Sequence, residues 1–304
     1  MNINYAHYLK EKDIMIVYFN GEFKEKEAVC VSPDDRGFLF ADGLYEVVRS
    51  YQGRIFRIQD HLERLHHGAS HLKFDRTRFP GFNEIARELL KQNHLLDEEA
   101  IVYFQVTRGA ARRTHAFPAA PVDLTVYAAA SAFDARSQRK NMETGIAAIT
   151  VPDTRWTRCD MKTTGLTANV LANQQAVEAR AKEAVFIRDG VLLEGTHSNF
   201  MAVFDRTVVT APLSNYILGG VTRKAVLECC DRLNIKVEQR PVYATELCHA
   251  TEMLVVGTTM EVMPIVTMNR ETVSGGSPGP VTRALQQAFD KLTGTILTVN
   301  HSRI

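Results

Sequence analysis

The sequence predicts two domains in tandem, an α+β block followed by an α/β block, and three observations carry that expectation. With 304 residues, 45 % of them apolar, the chain can fill one large core or two moderate ones. Its first 130 residues read as short strands with helices grouped together, whereas strands and helices alternate from residue 144 onward. Between these blocks lies SAFDARSQRKNME (131–143), polar and without a hydrophobic period, which marks a linker. The expected division is an N-terminal domain over 1–130, the linker over 131–143 and a C-terminal domain over 144–304.

Each element has a local reason. Residues 14–19 form a strand that runs into Asn20-Gly21, a dipeptide suited to the positive φ angles of a two-residue hairpin, with 27–31 as the expected partner. A second hairpin joins 45–51 to 54–58 through Gln52-Gly53. Leu62, Leu65, Ala69 and Leu72 then recur at helical spacing, with Asp60 as the expected cap. A helix over 83–92 follows, and strands over 101–107 and 124–129 flank a basic loop, GAARRTHAFPAAP. In the second block the expected elements are a strand at 145–151, a helix at 167–181, a strand at 184–187 ending in the turn Asp189-Gly190, and a helix at 221–233. Strands near 235–242 and 253–256 precede a last helix at 279–292, with Pro280 in its first turn.

Composition excludes several classes of function. Lys and Arg number 36 against 35 Asp and Glu, a net charge of +1 with no long block of one sign, so nothing attracts a nucleic acid or an acidic membrane surface. Five cysteines without a CxxC pair, and no His/Cys cluster at zinc spacing, point to reduced thiols, a cytosolic setting and no metal. The polar start MNINYAHYLKEKD lacks the apolar core of a signal peptide, and the longest apolar-leaning stretch, 124–133, is about half a membrane span. HExxH, GxGxxG and GxxxxGK[ST] are all absent, which removes zincin, Rossmann and Walker chemistries.

Four local features admit a chemical reading beside an ordinary one. In RCDMK, Lys162 stands just before an expected helix, where a partly desolvated amine can form a Schiff base; a solvated lysine is the ordinary reading. In VLLEGTHSNF, Glu194 closes an apolar run and can serve a ring nitrogen of a cofactor, or can stand in solvent at a turn between strands. LGGVTRKAV opens a helix with free N–H groups that suit a phosphate, though Gly-Gly-Val-Thr is also a common loop and cap. Arg112, Arg113 and His115 cluster in the basic loop, as a carboxylate clamp or as exposed charge.

Taken in order, these stretches resemble the class IV, or fold type IV, pyridoxal-phosphate aminotransferases, and among them those acting on D-amino acids. The resemblance runs from about residue 17 to 292. It is carried by FNGEF (19–23), DRGFLFADGLYEVVRSYQGRIFRIQDHLERL (35–65), RWTRCDMK (155–162), EAVFIRDGVLLEGTHSNF (183–200), ILGGVTR (217–223), VVGTTMEVMPIV (255–266) and PGPVTRALQQAF (278–289), and by the 32-residue spacing from Lys162 to Glu194.

The resemblance implies a two-domain architecture with pyridoxal 5'-phosphate between a smaller N-terminal and a larger C-terminal domain. It implies Lys162 as the Schiff-base lysine and proton shuttle, and Glu194 as the partner of the pyridine nitrogen. Arg64, Val221, Thr222 and Thr258 become phosphate ligands, and Leu218 packs on the ring. Tyr45, with Arg113 and His115 reaching in from the other subunit of a homodimer, would hold the substrate α-carboxylate. The implied reaction moves the amino group of a D-amino acid such as D-alanine to a 2-keto acid, 2-oxoglutarate, by a ping-pong cycle. On the same scaffold a branched-chain L-amino acid or (R)-amine aminotransferase, or a lyase resembling aminodeoxychorismate lyase, is the alternative; a binding module without cofactor is another. Ala41, His197 and Thr163-Thr164-Gly165 depart from the family's usual residues, Ala41 standing for Gly and His197 for Ser.

Overall fold

The computed structural model describes residues 15–295; Ile14, expected to open the first strand, lies outside them. Strands β1 (Ile16–Phe19), β2 (Glu22–Glu25), β3 (Gly43–Tyr51), β4 (Arg54–Ile55), β5 (Glu99–Thr107) and β6 (Thr125–Ala132) form one sheet in the order β2-β1-β6-β5-β3-β4. All its pairings are antiparallel, as short hairpin connections allow. Asn20 and Gly21, at φ 48° and 99°, pair Phe19 directly with Glu22. The partner of β1 is therefore Glu22–Glu25, not 27–31, because a two-residue turn leaves no slack for a longer loop.

Helices α1 (Arg36–Phe40), α2 (Ile58–His71) and α3 (Phe82–Gln92) accompany this sheet. Along β3 and β5 the even-numbered residues Leu44, Val48, Val102, Phe104 and Val106 are buried with Leu65, Phe82, Leu89 and Leu90 of the helices, the period of two that a one-sided core requires. Each such Leu or Phe contributes roughly 2 kcal/mol of burial. Tyr45, Tyr103 and Tyr127 lie on the opposite, half-buried face. Asp60 does not cap α2: it is the helix's third residue, Arg57 holds the cap position, and the Asp60 carboxylate instead takes Arg57 Nη1 at 3.3 Å and Lys224 Nζ at 2.5 Å.

The segment expected as a linker is regular. Ser131 and Ala132 complete β6, and α4 (Ala135–Thr144) follows with Asp134 Oδ1 accepting from Ser137 N at its start. Gln138 and Met142 pin the otherwise polar helix to the body of the protein, a tertiary anchor too sparse to show as a period.

The second sheet comprises β7 (Ile146–Pro152), β8 (Glu183–Arg188), β9 (Val191–Gly195), β10 (Asn199–Phe204), β11 (Thr207–Thr210), β12 (Val237–Gln239), β13 (Val242–Tyr243), β14 (Glu252–Gly257), β15 (Glu261–Met268) and β16 (Glu271–Thr272). Its path is β12-β11-β10-β14-β15-β7-β8-β9-β13, and a further pairing of β9 with β10 closes six of these strands into a ring. One core lies among Phe200, Met253, Val255, Met263 and Ile265, and another packs β10, β14 and β15 against α6 (Val221–Arg232) and α7 (Pro280–Thr293). Helix α5 (Thr167–Glu178) covers β7 and β8 through Ala172 and Ala176.

The two sheets are stitched together beside Lys162. Tyr45 N donates to Lys162 O at 3.0 Å, Thr164 N donates to Gly43 O at 3.1 Å, and Leu44 bridges Thr163. Farther along, Tyr51 Oη donates to Glu261 Oε1 at 2.8 Å, and the rings of Phe56 and Phe289 meet edge to face at 5.6 Å. No helix among the described residues is long and apolar enough to cross a membrane, and all five cysteines are free.

Candidate active site

A single cavity between the two sheets is lined by Tyr45, Arg64, Lys162, Glu194, Leu218, Val221, Thr222 and Thr258. Eight of the ten residues singled out in the sequence thus share one wall-to-wall space, although they come from α2, β3, β9, the start of α6 and three loops.

Lys162 is positioned by the antiparallel stitch just described, which leaves its side chain half-buried with Nζ 4.2 Å from the centre of the Tyr45 ring. The stitch needs a sharp turn after α1, and Ala41 makes it at φ 54°, in the left-handed region where a glycine costs less. Thr164 Oγ1 donates to Ala41 O at 3.2 Å, so the unusual Ala41 and the unusual Thr164 support one another. Cys159 also lines the cavity, but burial pushes its thiol up to about 11, which removes it as a nucleophile at neutral pH.

Glu194 is the last residue but one of β9, directly opposite Asn199, the first residue of β10. Its Oε2 accepts from Asn199 Nδ2 at 3.1 Å and from Leu218 N at 2.9 Å, and its Oε1 accepts from Arg155 Nη1 at 2.5 Å. Arg155 is shared: Nε also donates to Asp153 Oδ1 at 2.9 Å, and Nη2 to Tyr216 O at 3.1 Å. Burial outweighs these donors and raises the Glu194 carboxyl to about 7, leaving it close to balance between charged and neutral forms. The turn between Glu194 and Asn199 is secured from behind by the buried Glu183, which accepts from Thr196 N at 3.0 Å, Thr196 Oγ1 at 2.6 Å and Ser198 Oγ at 2.7 Å.

Helix α6 begins at Val221 behind Gly220, with no side chain capping it, so its first N–H groups face the cavity. A Cβ on Gly220 would stand 1.9 Å from Asn199 Oδ1; only glycine fits there. Arg64 reaches the same place from α2. Its Nε and Nη2 donate to Glu46 at 2.8 and 2.6 Å, and Nη1 donates to Gly219 O at 3.0 Å. His61 completes this cluster, its Nδ1 2.7 Å from Glu46 Oε2, and burial keeps the imidazole pKa low and the ring neutral. Burial alone would raise the Glu46 carboxyl, but Arg64 and His61 together hold it at about 2.

Arg113 and His115 are not part of the cavity wall. Both are exposed on the loop after β5, beside Phe40 of α1, with the Arg113 guanidinium 5.1 Å and the His115 ring 5.7 Å from its centre. Arg36 anchors that loop by donating Nη1 to Thr114 O at 2.7 Å. On another surface His67, His71 and Asp160 place potential ligand atoms within 4.8 Å of one another, but Arg158 already occupies both Asp160 oxygens at 2.9 Å.

Sequence reasoning did not find Glu46, His61, Arg155, Glu183 or Asn199. For Asn199 a signal existed: a tight hairpin at GTHS makes residues 194 and 199 cross-strand neighbours. The others are partners by tertiary contact alone.

The residues fit pyridoxal phosphate. An amine, a buried carboxylate at balance for a cationic ring N–H, and a helix start with an arginine for a dianion surround one space.

Residues 43–268 match the amino-transferase class IV family. The D-alanine aminotransferase of Staphylococcus epidermidis is 38 % identical over 276 residues, 90 % of this chain and 96 % of that protein. That of Bacillus licheniformis is 37 % identical over 292 residues, 94 % and 100 % of the two chains. Among solved structures, the branched-chain amino acid aminotransferase of Escherichia coli superposes with a TM-score of 0.80 at 26 % identity, covering 92 % of this chain and 95 % of that one.

Proposed function

The chain belongs to the class IV aminotransferases, and from that premise we propose that it moves the amino group of a D-amino acid such as D-alanine to 2-oxoglutarate, with pyridoxal phosphate as cofactor. The observation that carries the reading is the single cavity in which Lys162, Glu194, Arg64 and the start of α6 converge. The D-amino acid assignment draws on relatives of 37–38 % identity over nearly their whole length, against 26 % for the branched-chain enzyme.

When bound, pyridoxal phosphate supplies an electron-accepting ring conjugated to the carbon that receives the amino group. The protein's residues do the rest. Lys162 Nζ takes the proton from the substrate Cα and returns it on the far side of the transfer, acting as general base and then general acid. Glu194 would hold a proton at the ring nitrogen, and a cationic N–H beside it would favour the ionised form of its carboxyl group. Arg64, the N–H groups of Val221 and Thr222, and Thr258 hold the phosphate end, while Leu218 packs on the ring.

Tyr45 and, from a partner subunit, Arg113 and His115 hold the substrate α-carboxylate; a forked guanidinium fits that group with two parallel hydrogen bonds. Placing Arg113 in the partner's site accounts for its exposure here and for the half-buried tyrosine face of β3, β5 and β6, which a homodimer would cover. We assign the two domains to 1–130 and 144–304, with the end of β6 and α4 connecting them and the site between them, and the unpaired cysteines suit a cytoplasmic protein.

The test is the visible spectrum of the cofactor-loaded protein with D-alanine, then L-leucine, then (R)-1-phenylethylamine, in the absence of acceptor. Bleaching of the cofactor band by D-alanine alone is expected. Bleaching by L-leucine instead would transfer the assignment to the branched-chain reading. Release of pyruvate from D-alanine without an acceptor would make the protein a lyase.

A further inference from the structure

The acceptor in the proposed reaction carries two carboxylates, and the α-carboxylate clamp takes one of them. The cavity wall has four side chains able to bear positive charge: Arg64, Arg155, Lys162 and His197. Arg64 is committed to Glu46 and the phosphate end, Arg155 to Asp153 and Glu194, and Lys162 is the reacting amine. His197 remains, in a position that the resemblance leads one to expect as serine.

Its setting is rigid and its polarity can be deduced. Thr196 is held by Glu183 through both its N–H and its hydroxyl, and its carbonyl accepts from Asn169 Nδ2 at 2.8 Å. Gly257 backs the turn so closely that a Cβ there would lie 3.1 Å from His197 O. Because Thr196 Oγ1 donates to Glu183 Oε1, its lone pairs are what face His197 Nδ1 at 2.9 Å, so Nδ1 carries a proton. Glu183 Oε2 stands 3.6 Å from the same nitrogen. Nε2, on the far edge of a ring that is 44 % exposed, bonds no described residue.

Resting on the aminotransferase reading, we propose that His197 is a specificity residue that receives the distal carboxylate of a dicarboxylic substrate, 2-oxoglutarate or D-glutamate. In the imidazolium form Nδ1–H stays on Thr196 and Nε2–H donates to the carboxylate, with Glu183 balancing the ring's charge. A serine in the same place offers a neutral donor on a shorter arm.

The experiment uses the cofactor-loaded enzyme with D-2-aminobutyrate as donor and compares 2-oxoglutarate with pyruvate as acceptors. Glutarate and butyrate, competing as unreactive dicarboxylate and monocarboxylate, provide a readout independent of turnover. For His197→Ser, KM for 2-oxoglutarate and the inhibition constant of glutarate rise about tenfold, as expected for one charge-assisted bond at a half-exposed site, while the values for pyruvate and butyrate stay within about twofold. His197→Gln, a donor without the charge, falls between. Equal losses for both acids would make His197 only a pin of the turn and overturn the proposal, as would no change for either. A wild-type enzyme that accepts pyruvate but not 2-oxoglutarate overturns it too. Failure of the wild-type enzyme to transfer an amino group to either acid is a different result, and removes the aminotransferase reading itself.

Discussion

Glu46 and Glu194 are both buried and each is bonded to an arginine that lines one cavity, yet their carboxyl groups are displaced in opposite directions, to about 2 and about 7. The difference lies in what else each arginine does. Arg64 gives Glu46 two of its nitrogens and His61 adds a third donor, so the desolvation of Glu46 is more than offset. Arg155 gives Glu194 one nitrogen and spends the others on Asp153 and a backbone carbonyl. A complete buried ion pair is a scaffold, whereas an incomplete one is a socket waiting for a cation. The first places Arg64; the second suits a protonated ring nitrogen.

The contrast can be broken at several points. The largest effect belongs to the residue neither carboxylate can replace: Lys162→Ala should lower turnover by at least about a thousandfold and abolish the spectral shift of covalently attached cofactor. Near-normal turnover would end the assignment. If Glu46 is scaffold, Glu46→Gln should lower folding stability by about 3 to 5 kcal/mol, the cost of orphaning a buried charge, and weaken cofactor binding while leaving kcat at saturating cofactor within a few fold. Unchanged denaturant midpoints would show the pair to be dispensable. If Glu194 is a socket, Glu194→Gln should keep the fold but lower kcat about a hundredfold, since the charge it supplies matters most in the transition state; a kcat within twofold of wild type would sink that role.

The pH dependence of the cofactor-free protein follows from the same pair. A carboxyl held at about 2 contributes stability above its unfolded value near 4.3 and loses it as pH falls toward 2, up to about 3 kcal/mol. One raised to about 7 does the reverse: the native state keeps a proton that the unfolded chain has already released, so stability declines by up to about 3 kcal/mol as pH rises from roughly 4.5 to 7. Thermal melts from pH 3 to 8 should therefore lose their acid limb in Glu46→Gln and their neutral-side slope in Glu194→Gln. Identical profiles in wild type and both variants would contradict the comparison. The smallest effect is at the proposed clamp, where Arg113→Ala should raise KM for amino acids about tenfold with little change in kcat; an unchanged KM would remove Arg113 from it.

What was legible in the sequence had a local signature. The hairpin at Asn20-Gly21 and the starts of α5 and α6 follow from turn chemistry and period, and Lys162, Glu194 and the Gly219-Gly220 helix start could be singled out from their neighbours in the chain. Helix α4 could not, because its two buried residues, Gln138 and Met142, make no apolar stripe. The partners that set the site's electrostatics were equally hidden: Glu46 lies on a strand 18 residues before Arg64 and Arg155 on a loop 39 residues before Glu194, and nothing in the immediate neighbours of Glu46 or Arg155 distinguishes them from solvated charges.

By itself, then, the sequence determined which chemical groups this protein owns and which short segments turn, pair or coil, because those preferences are settled within a few residues. Only the tertiary structure decided how charged each group is. Burial and the charge of the donors aimed at a carboxylate depend on which strands and helices meet, and that is why two glutamates with three donors each became a fixed anchor and a tunable partner.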